Sequence, residues 1–326
     1  MALLRMMKST SIARRRLRRL LLGLMLFGLV FTLVAWCVTE RWMVNSDVEK
    51  AIARFGGTAV YDYKGSWLHH SRQMPEQLND SWLTLQLRSI GGDRAFGNIR
   101  RVEFFAPPTP TPEVISTLGN LSSLHAVSFS NATVDKIFLE NLAGRTDLMA
   151  LEFRECRFAE DSLDALKHFE NLESLIFWGA GFEQVPADTL KSLPSLREIG
   201  IIGADVDHQQ LEKIASLDNL ELLSLNFSTI VDHWPPGLKF ANVQRFSTSG
   251  PSFTDADLKL VVDQMPELQY VVLRHTSVTD NGVPHLAKLE QLNSLRILVD
   301  SDTVSVEAID ELKSHLPYGS KTQPTV

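Results

Sequence analysis

The chain contains only two cysteines among its 326 residues, Cys37 and Cys156. Cys37 lies in an apolar run and Cys156 in a repeat, so the two are not expected to pair within one chain. A disulfide-stapled scaffold of the kind found in small secreted domains is therefore excluded. The fold must depend on a continuous apolar core, and a chain of this length can supply one.

Catalytic and metal-binding motifs are also missing. The sequence has no glycine-rich phosphate loop, no G-x-S-x-G elbow, no H-E-x-x-H and no kinase signature. His69 and His70 are adjacent, but no third ligand follows at metal-binding spacing. We therefore predict a non-enzymatic protein without a cofactor, a catalytic residue or a metal site.

Basic residues are scarce beyond the N-terminus. The first 19 residues carry seven basic side chains and no acid, which leaves 25 basic and 39 acidic residues for the rest of the chain. Binding to nucleic acid requires clustered lysine and arginine that neutralise phosphates. The acidic balance of residues 20–326 therefore predicts a partner other than nucleic acid.

A regular apolar repeat dominates the remaining sequence. Apolar residues recur at positions 0, +3 and +5 of units spaced 23 to 25 residues apart. Such a period predicts a solenoid in which each coil buries its apolar face against its neighbours. Coils one to nine begin at Ile99, Leu124, Leu148, Leu172, Leu196, Leu220, Val243, Leu268 and Leu292.

Each coil combines a strand with a helical half. The +3/+5 alternation is typical of a short strand with one buried face. Further apolar residues at +10, +15 and +18 suit a turn and a short helix, except in coil six, where Pro235 and Pro236 disfavour a helix. The pattern L-x-x-L-x-L followed by this half resembles a leucine-rich repeat. The resemblance implies an α/β solenoid of about nine 24-residue coils with a curved parallel sheet on its concave face.

An uncharged apolar segment precedes the repeats. Residues 20–38 carry no charge and would span roughly 28 Å as a helix, enough for the hydrocarbon core of a bilayer. The basic residues on the N-terminal side predict a cytoplasmic N-terminus and repeats on the extracytoplasmic, periplasmic side. A cleaved signal peptide is the alternative, but no A-x-A site follows the run.

The segment between the apolar run and the repeats sharpens the resemblance. It contains Gly56-Gly57, the strand-like Val60-Tyr61-Asp62-Tyr63 and Gly91-Gly92-Asp93. With the basic N-terminus, the single span and the repeats, it resembles membrane-anchored leucine-rich-repeat proteins abundant in planctomycete bacteria. That group implies a fold and a location but no established activity. The predicted divisions are 1–19 (basic cytoplasmic N-terminus), 20–38 (transmembrane helix), 39–97 (linker and N-terminal cap), 98–300 (repeats) and 301–326 (C-terminal cap and tail).

Strand positions +2, +4 and +6 point away from the core, toward what we call the concave face. Apolar residues at these positions gather in coils four to six, and arginines lie beside them. Exposed apolar side chains around an aromatic anchor are typical of protein interfaces. We therefore predict a partner-binding patch made of Ile176, Trp178, Ile202, Leu222, Asn226, Arg154 and Arg245.

Three functions compete at this stage. The leading hypothesis is a membrane-anchored module that binds a protein or peptide ligand through the concave face. A structural, self-associating envelope scaffold is the second. An envelope hydrolase with a site built across coils is the third, although the repeat phase brings no acids or histidines to one spot.

Overall fold

The computed structural model describes residues 25–26, 28–29, 32–33, 35–40, 42–61, 99–105, 112–119, 121, 123–144, 148–298, 303–315 and 321–324. The chain divides into two compact units, one of Met1–Lys50 with Asn79–Asn98 and the other of Ala51–Leu78 with Ile99–Val326. The described residues of the first unit are helical. No helix within the described ranges is both long enough and apolar enough to cross a membrane. The predictions for residues 1–19, for most of 39–97 and for part of 20–38 lie outside the described residues.

The second unit is built on a long, mostly parallel sheet, which confirms the mixed α/β solenoid. The strands are β1 (Gly57–Tyr61), β2 (Ile99–Phe105), β3 (Ala126–Ser130), β5 (Ala150–Arg154), β7 (Ser174–Trp178), β8 (Glu198–Ile202), β10 (Leu222–Leu225), β12 (Arg245–Ser249), β13 (Tyr270–Arg274), β14 (Ser294–Leu298) and β15 (Lys321–Pro324). They lie side by side in that order, and only β1 is antiparallel to its neighbour.

The register of the sheet places equivalent repeat positions side by side. Leu175 pairs with Ile199, and Ile199 pairs with Leu223, all at position +3 of successive coils. Every residue at positions 0, +3 and +5 of the nine coils is at most 5% exposed. The predicted core positions are therefore confirmed throughout the repeats.

Phenylalanine at +5 gives the first four coils a stacked aromatic core. The ring centroids of Phe104 and Phe129 are 5.6 Å apart, those of Phe129 and Phe153 5.7 Å, and those of Phe153 and Phe177 5.3 Å. Phe138 packs edge-on against Phe129 from the helical side at 5.2 Å. Both arrangements are favourable for aromatic pairs, so these rings bind successive coils together.

Short helices form the side opposite the sheet, as the +15/+18 spacing predicts. Two pairs of two-residue strands lie between them and the main sheet: β4 (Thr133–Val134) with β6 (Arg157–Phe158), and β9 (Asp205–Val206) with β11 (Thr229–Ile230). The α-helices are Pro112–Gly119, Lys136–Ala143, Ala187–Lys191, His208–Ala215, Asp255–Gln264 and Val306–His315, and the 3-10 helices are Ser162–His168, Phe182–Gln184 and Val283–Lys288.

Coil six has no helix between β11 and β12, as its two prolines predict. Trp234 fills the space instead: it is 2% exposed, and its indole N–H donates to Oε1 of Gln264 at 2.8 Å. Its main-chain N–H donates to Oδ1 of Asp257 at 2.7 Å. Burial opposes the charge of Asp257, but hydrogen bonds from Thr254 and Trp234 outweigh it and hold the pKa of that carboxyl below its usual value.

The first strand of the repeats, β2, is covered on its outer side by β1, which pairs with it in antiparallel. Gly56 ends the preceding helical turn with a φ of 71°, and its carbonyl accepts the N–H of Phe105 at 2.9 Å. A Cβ on Gly57 would lie 2.7 Å from Ile52 and 2.9 Å from Phe104. Only glycine therefore lets β1 approach the aromatic core this closely.

The C-terminal segment adds more than the predicted cap and tail. The helix Val306–His315 buries Ile309 and Leu312. It is followed by β15, which pairs in parallel with β14 through Ser294↔Lys321 to Ile297↔Pro324. The polar composition of this segment gave no sign of a further strand.

Candidate interaction surface

The concave face is much less exposed than the repeat phase predicts. Leu222 is 2% exposed and Asn226 7%, although both were predicted to contact a partner. Several other residues of positions +2, +4 and +6 are buried as well: Arg101, Ala126, Ser128, Ser130, Ala150, Glu152, Ser174, Glu198, Ser224, Ser247, Ser249 and Val272. The expectation that alternate strand residues face solvent is therefore wrong for Leu222 and Asn226.

The neighbours of each side chain explain the difference between Leu222 and Ile176. Adjacent strands lie about 4.8 Å apart, so large side chains in register cover one another. Leu222 is in register with Glu198 on one side and Arg245 on the other. Ile176 is in register with Gly200, which has no side chain to cover it, and it is half-buried.

Trp178 is half-buried and held in place by two charged residues. Its indole N–H donates to Oε1 of Glu152 at 2.8 Å, and the guanidinium carbon of Arg154 lies 5.1 Å from the centroid of its ring system. Arg154 also pairs with Glu152 at 2.7 Å, and Arg101 pairs with the other carboxylate oxygen at 2.6 Å. Arg154 thus has an acidic partner within the chain, and its side chain remains 42% exposed.

Three predicted residues form a partly exposed apolar cluster, which we call the Trp178 patch. It consists of Ile176, Trp178 and Ile202, all half-buried and all on β7 and β8. Trp178 and Ile202 are in register across the two strands. The structure therefore brings three of the predicted residues together on a partly exposed surface, whereas Leu222 and Asn226 of the next coil are buried.

Asn226 belongs to a buried polar cluster. Its side-chain amide donates to the hydroxyls of Ser224 at 2.8 Å and Ser247 at 3.0 Å. The Ser247 hydroxyl in turn lies 3.0 Å from that of Ser224. These bonds give the amide nitrogen and both hydroxyls a partner and link β10 to β12, while within the described part of the chain Oδ1 of Asn226 has none.

Glu198 is the most perturbed carboxyl on this face. It is 4% exposed, and within the described part of the chain its Oε2 has no hydrogen-bond partner. Burial raises the pKa of Glu198 to about 7, against the opposing influence of the Ser174 hydroxyl and of Arg245. The charge of Glu152 raises it further. Arg245, a residue of the predicted patch, is half-buried, and its charge acts on Glu198.

In coils two to eight the residue at position +7, just past the strand of the main sheet, has a left-handed backbone conformation, a regularity that the repeat phase does not reveal. In five of these residues the main-chain N–H donates to a carbonyl of the next coil, as in Glu155 to Trp178 at 2.8 Å and Gly203 to Asn226 at 3.0 Å. The positive φ angles are 53° at Asn131, 51° at Glu155, 78° at Gly179, 70° at Gly203, 57° at Phe227, 117° at Gly250 and 51° at His275.

Phe227 is the least expected member of this column. Glycine and asparagine tolerate the left-handed region, whereas a bulky side chain there costs about 1–2 kcal/mol. The side chain of Phe227 is also 66% exposed, so burial of the ring does not offset that cost. Glu155 and His275 also replace glycine or asparagine at +7, but Phe227 is the apolar one of these seven residues, and this is the signal by which the sequence could have identified it.

An open groove of about 650 Å³ lies beside Phe227 at the ends of the strands. We call it the strand-end groove. Among the residues that the structure describes, its lining contains three carboxylates and no lysine or arginine, and is made of Ala180, Glu183, Gly203, Ala204, Asp205, Asp207, Gln210, Phe227, Thr229 and Val231. Phe227 and Val231 are both exposed large apolar residues. The groove therefore combines apolar contact area with negative charge.

The acidic side chains of the groove have mainly local hydrogen bonds. Asp207 caps the helix His208–Ala215 by accepting the N–H of Gln210 at 2.8 Å. Glu183 accepts the N–H of Gly181 at 2.7 Å. Asp205 is exposed. The ammonium group of Lys213 donates to the main-chain carbonyls of Glu183 and Val185, at 3.1 and 3.3 Å.

Metal-ligating and nucleophilic side chains were considered as further candidates for a site. In the described ranges no three His, Cys, Asp or Glu side chains are arranged to hold a metal ion, and His69 and His70 lie outside those ranges. Cys156 is 9% exposed, and its thiol lies 3.4 Å from the carbonyl of Phe129. Burial raises the pKa of the Cys156 thiol, which makes it a poor nucleophile.

Comparisons with known proteins add little to this description. No family model matches the chain, and no curated protein matches it. Among solved structures 155 chains match. One is a crystal structure of a TLR13–ssRNA13 complex, with 14% sequence identity and a TM-score of 0.40. The match covers 63% of this chain and 30% of that one, so the chain spans less than a third of that protein. We transfer no function at this level of similarity.

Proposed function

We propose that this chain is a non-enzymatic, membrane-anchored protein that binds a protein or peptide outside the cytoplasm through its repeat surface. The observation that carries the proposal is the Trp178 patch. Three large apolar side chains remain partly exposed on neighbouring strands of a face that is otherwise largely buried. Apolar side chains that stay in contact with water do not contribute the free energy that their burial would provide. A partner that covers them gains this free energy on binding.

The patch is also organised in advance of binding. The bond from Trp178 to Glu152 and the position of Arg154 over its ring restrict the conformations of the side chain. An aromatic anchor that is already ordered loses little entropy when a partner binds. Tryptophan and arginine are the residue types that most often dominate interface energetics.

The proposed membrane anchor and the orientation of the repeats are supported by the sequence. Residues 20–38 are uncharged and apolar, and seven basic residues precede them without an acid. The positive-inside bias then directs the repeats out of the cytoplasm. The resemblance to membrane-anchored repeat proteins of planctomycete bacteria supports the same location.

We propose a protein or peptide rather than a nucleic acid as the ligand. The chain beyond residue 19 has 39 acidic and 25 basic residues. A phosphate backbone would meet net repulsion from this surface.

The proposal can be tested by capture of envelope proteins on the full-length chain in detergent. We compare the wild type with Trp178→Ala, Trp178→Phe and Ile137→Ala, the last as a control because Ile137 is 70% exposed on a helix. We expect Trp178→Ala to lose the captured partner, Ile137→Ala to retain it and Trp178→Phe to be intermediate. Folding of each variant is checked by circular dichroism.

Two outcomes would contradict the proposal. An unchanged set of captured proteins with a folded Trp178→Ala variant would show that this patch is not the binding site. Capture of the chain's own copies alone, at all concentrations, would favour the self-associating scaffold.

A further inference from the structure

We propose that the strand-end groove binds a short basic peptide segment that carries an apolar side chain, supplied by the protein partner. This inference rests on the proposed function and adds the chemistry of the ligand. The groove of about 650 Å³ joins exposed Phe227 and Val231 to the carboxylates of Glu183, Asp205 and Asp207. These features occur together on one edge of coils four to six.

Phe227 indicates binding rather than folding. Its ring is 66% exposed, and its backbone has a φ of 57°, which glycine would adopt without strain. Gly203 occupies the same position in the preceding coil with a φ of 70°. An aromatic side chain here therefore works against the stability of the fold and is explained by a contact with another molecule.

The charge of the groove selects a cation. In the described part of the chain its lining has three carboxylates and no basic side chain, and Lys213 donates to main-chain carbonyls beside it. Asp205 is exposed on the two-residue strand β9. A lysine or arginine of a peptide would pair with these carboxylates and could lie over the face of the Phe227 ring.

The groove is continuous with the Trp178 patch along the chain. Ile202 of the patch is followed directly by Gly203 and Ala204, which line the groove. Trp178 is in register with Ile202, and Ala180 of the same coil also lines the groove. One extended peptide can therefore contact the patch with an apolar side chain and place its basic residue in the groove.

The test uses a library of random short peptides displayed on phage and selected on the full-length chain in detergent. We expect the selected peptides to be enriched in lysine or arginine next to an apolar residue. Their affinity, measured by fluorescence anisotropy of labelled synthetic copies, should fall at least about tenfold in Phe227→Gly and in Asp205→Asn. It should also weaken at high salt, since the pairing is electrostatic.

Matched controls separate binding from folding. Phe227→Gly relieves the left-handed strain, so this variant should unfold at a higher denaturant concentration than the wild type while it loses the peptide. Phe105→Ala removes a 51% exposed aromatic residue of β2, and Glu170→Gln removes an exposed acid outside the groove. Both should bind the peptide as the wild type does.

Other outcomes would overturn the inference. Selected peptides without an excess of basic residues would show that the groove does not choose its ligand by charge. Peptides that bind Phe227→Gly and Asp205→Asn as tightly as wild type, but not Trp178→Ala, would assign binding to the Trp178 patch alone. In that case the proposed function stands and the groove has no part in it. If none of these variants loses capture of envelope proteins, both the proposed function and the groove inference are wrong.

Discussion

At the scale of single residues, Glu198 links folding to pH. Its pKa is about 7 in the folded chain, against an ordinary value of 4.5. Between these values the native state holds a proton that the unfolded state has released. The contribution of Glu198 to the free energy of unfolding therefore falls as the pH rises through this window. Above the window this contribution stays constant. Burial is the main cause of the raised pKa, and the charge of Glu152 adds to it. The charge of Arg245 lowers the pKa only in part.

The variant Glu198→Gln tests this linkage. It removes the ionisable group and keeps the shape, so the variant should gain stability over wild type as the pH rises. We expect a gain of about 3 kcal/mol at about pH 8 relative to about pH 5. Urea unfolding of both proteins at both pH values measures it. If the unfolding free energies of wild type and variant differ by the same amount at both pH values, the pKa of Glu198 is not raised in the folded chain.

Residue-scale exposure is also where sequence reasoning reached its limit. The phase of the repeat correctly assigned Leu175 and Leu223 to the core and left Ile176 and Trp178 partly exposed. The repeat phase failed for Leu222 because the alternation of residues along a strand shows on which face of the sheet a side chain lies. It does not show which side chains of the neighbouring strands cover it. Leu222 lies between Glu198 and Arg245, whereas Ile176 lies beside Gly200.

The groove escaped prediction for a different reason. Its key residue, Phe227, lies at position +7, outside the strand positions considered for binding. Only the backbone angles show that this column is left-handed in seven coils. The apolar residues at 0, +3 and +5 determine where a coil begins. The bend of the backbone after the strand determines which side chains lie at the end of the strand, and the apolar pattern does not show this bend.

At the scale of elements, coil six shows how a solenoid tolerates a missing helix. Trp234 is 2% exposed and packs edge-on against Phe246 at 5.7 Å. Its indole bonds to Gln264, whose own amide donates to the carbonyl of Pro235 at 2.8 Å. One large side chain and a few hydrogen bonds thus replace the apolar face of a helix.

The element-scale prediction concerns Trp234. Replacement by alanine should cost about 3–5 kcal/mol of unfolding free energy, because it empties the space that a helix fills in other coils. Trp234→Phe keeps most of the volume but leaves Gln264 without its donor, so we expect a smaller loss of about 1–3 kcal/mol. Denaturant unfolding gives both values. Equal losses for the two variants would mean that the hydrogen bond, rather than packing, accounts for the role of Trp234.

The stack of coils makes a second prediction at this scale. Leu175 and Leu223 have no exposed surface and contact the coils on both sides through β7 and β10. Alanine at either position should cost about 2–5 kcal/mol. Ile137→Ala, which truncates an exposed side chain, should change stability by less than about 0.5 kcal/mol. Losses below about 1 kcal/mol at Leu175 and Leu223 would contradict their position in the core.

At the scale of the whole molecule, charge and hydropathy separate the chain into dissimilar parts. Seven basic residues and no acid precede the apolar residues 20–38, and an acidic repeat region follows. A strongly basic segment resists transfer across a membrane, whereas an acidic domain does not. Both proposed binding surfaces lie on the repeats, so orientation decides which partners can reach them.

The last prediction concerns that orientation. A reporter that is active only in the periplasm should work when fused after Val326, and one active only in the cytoplasm should not. Replacing Arg14, Arg15 and Arg16 by serine should lower the ratio of the two activities, because the basic residues retain the N-terminus inside. Serine at Lys136 and Lys167, distant from the apolar segment in sequence, should leave the ratio unchanged. Cytoplasmic activity of the unaltered fusion would reverse the topology and place the Trp178 patch and the strand-end groove among cytoplasmic partners.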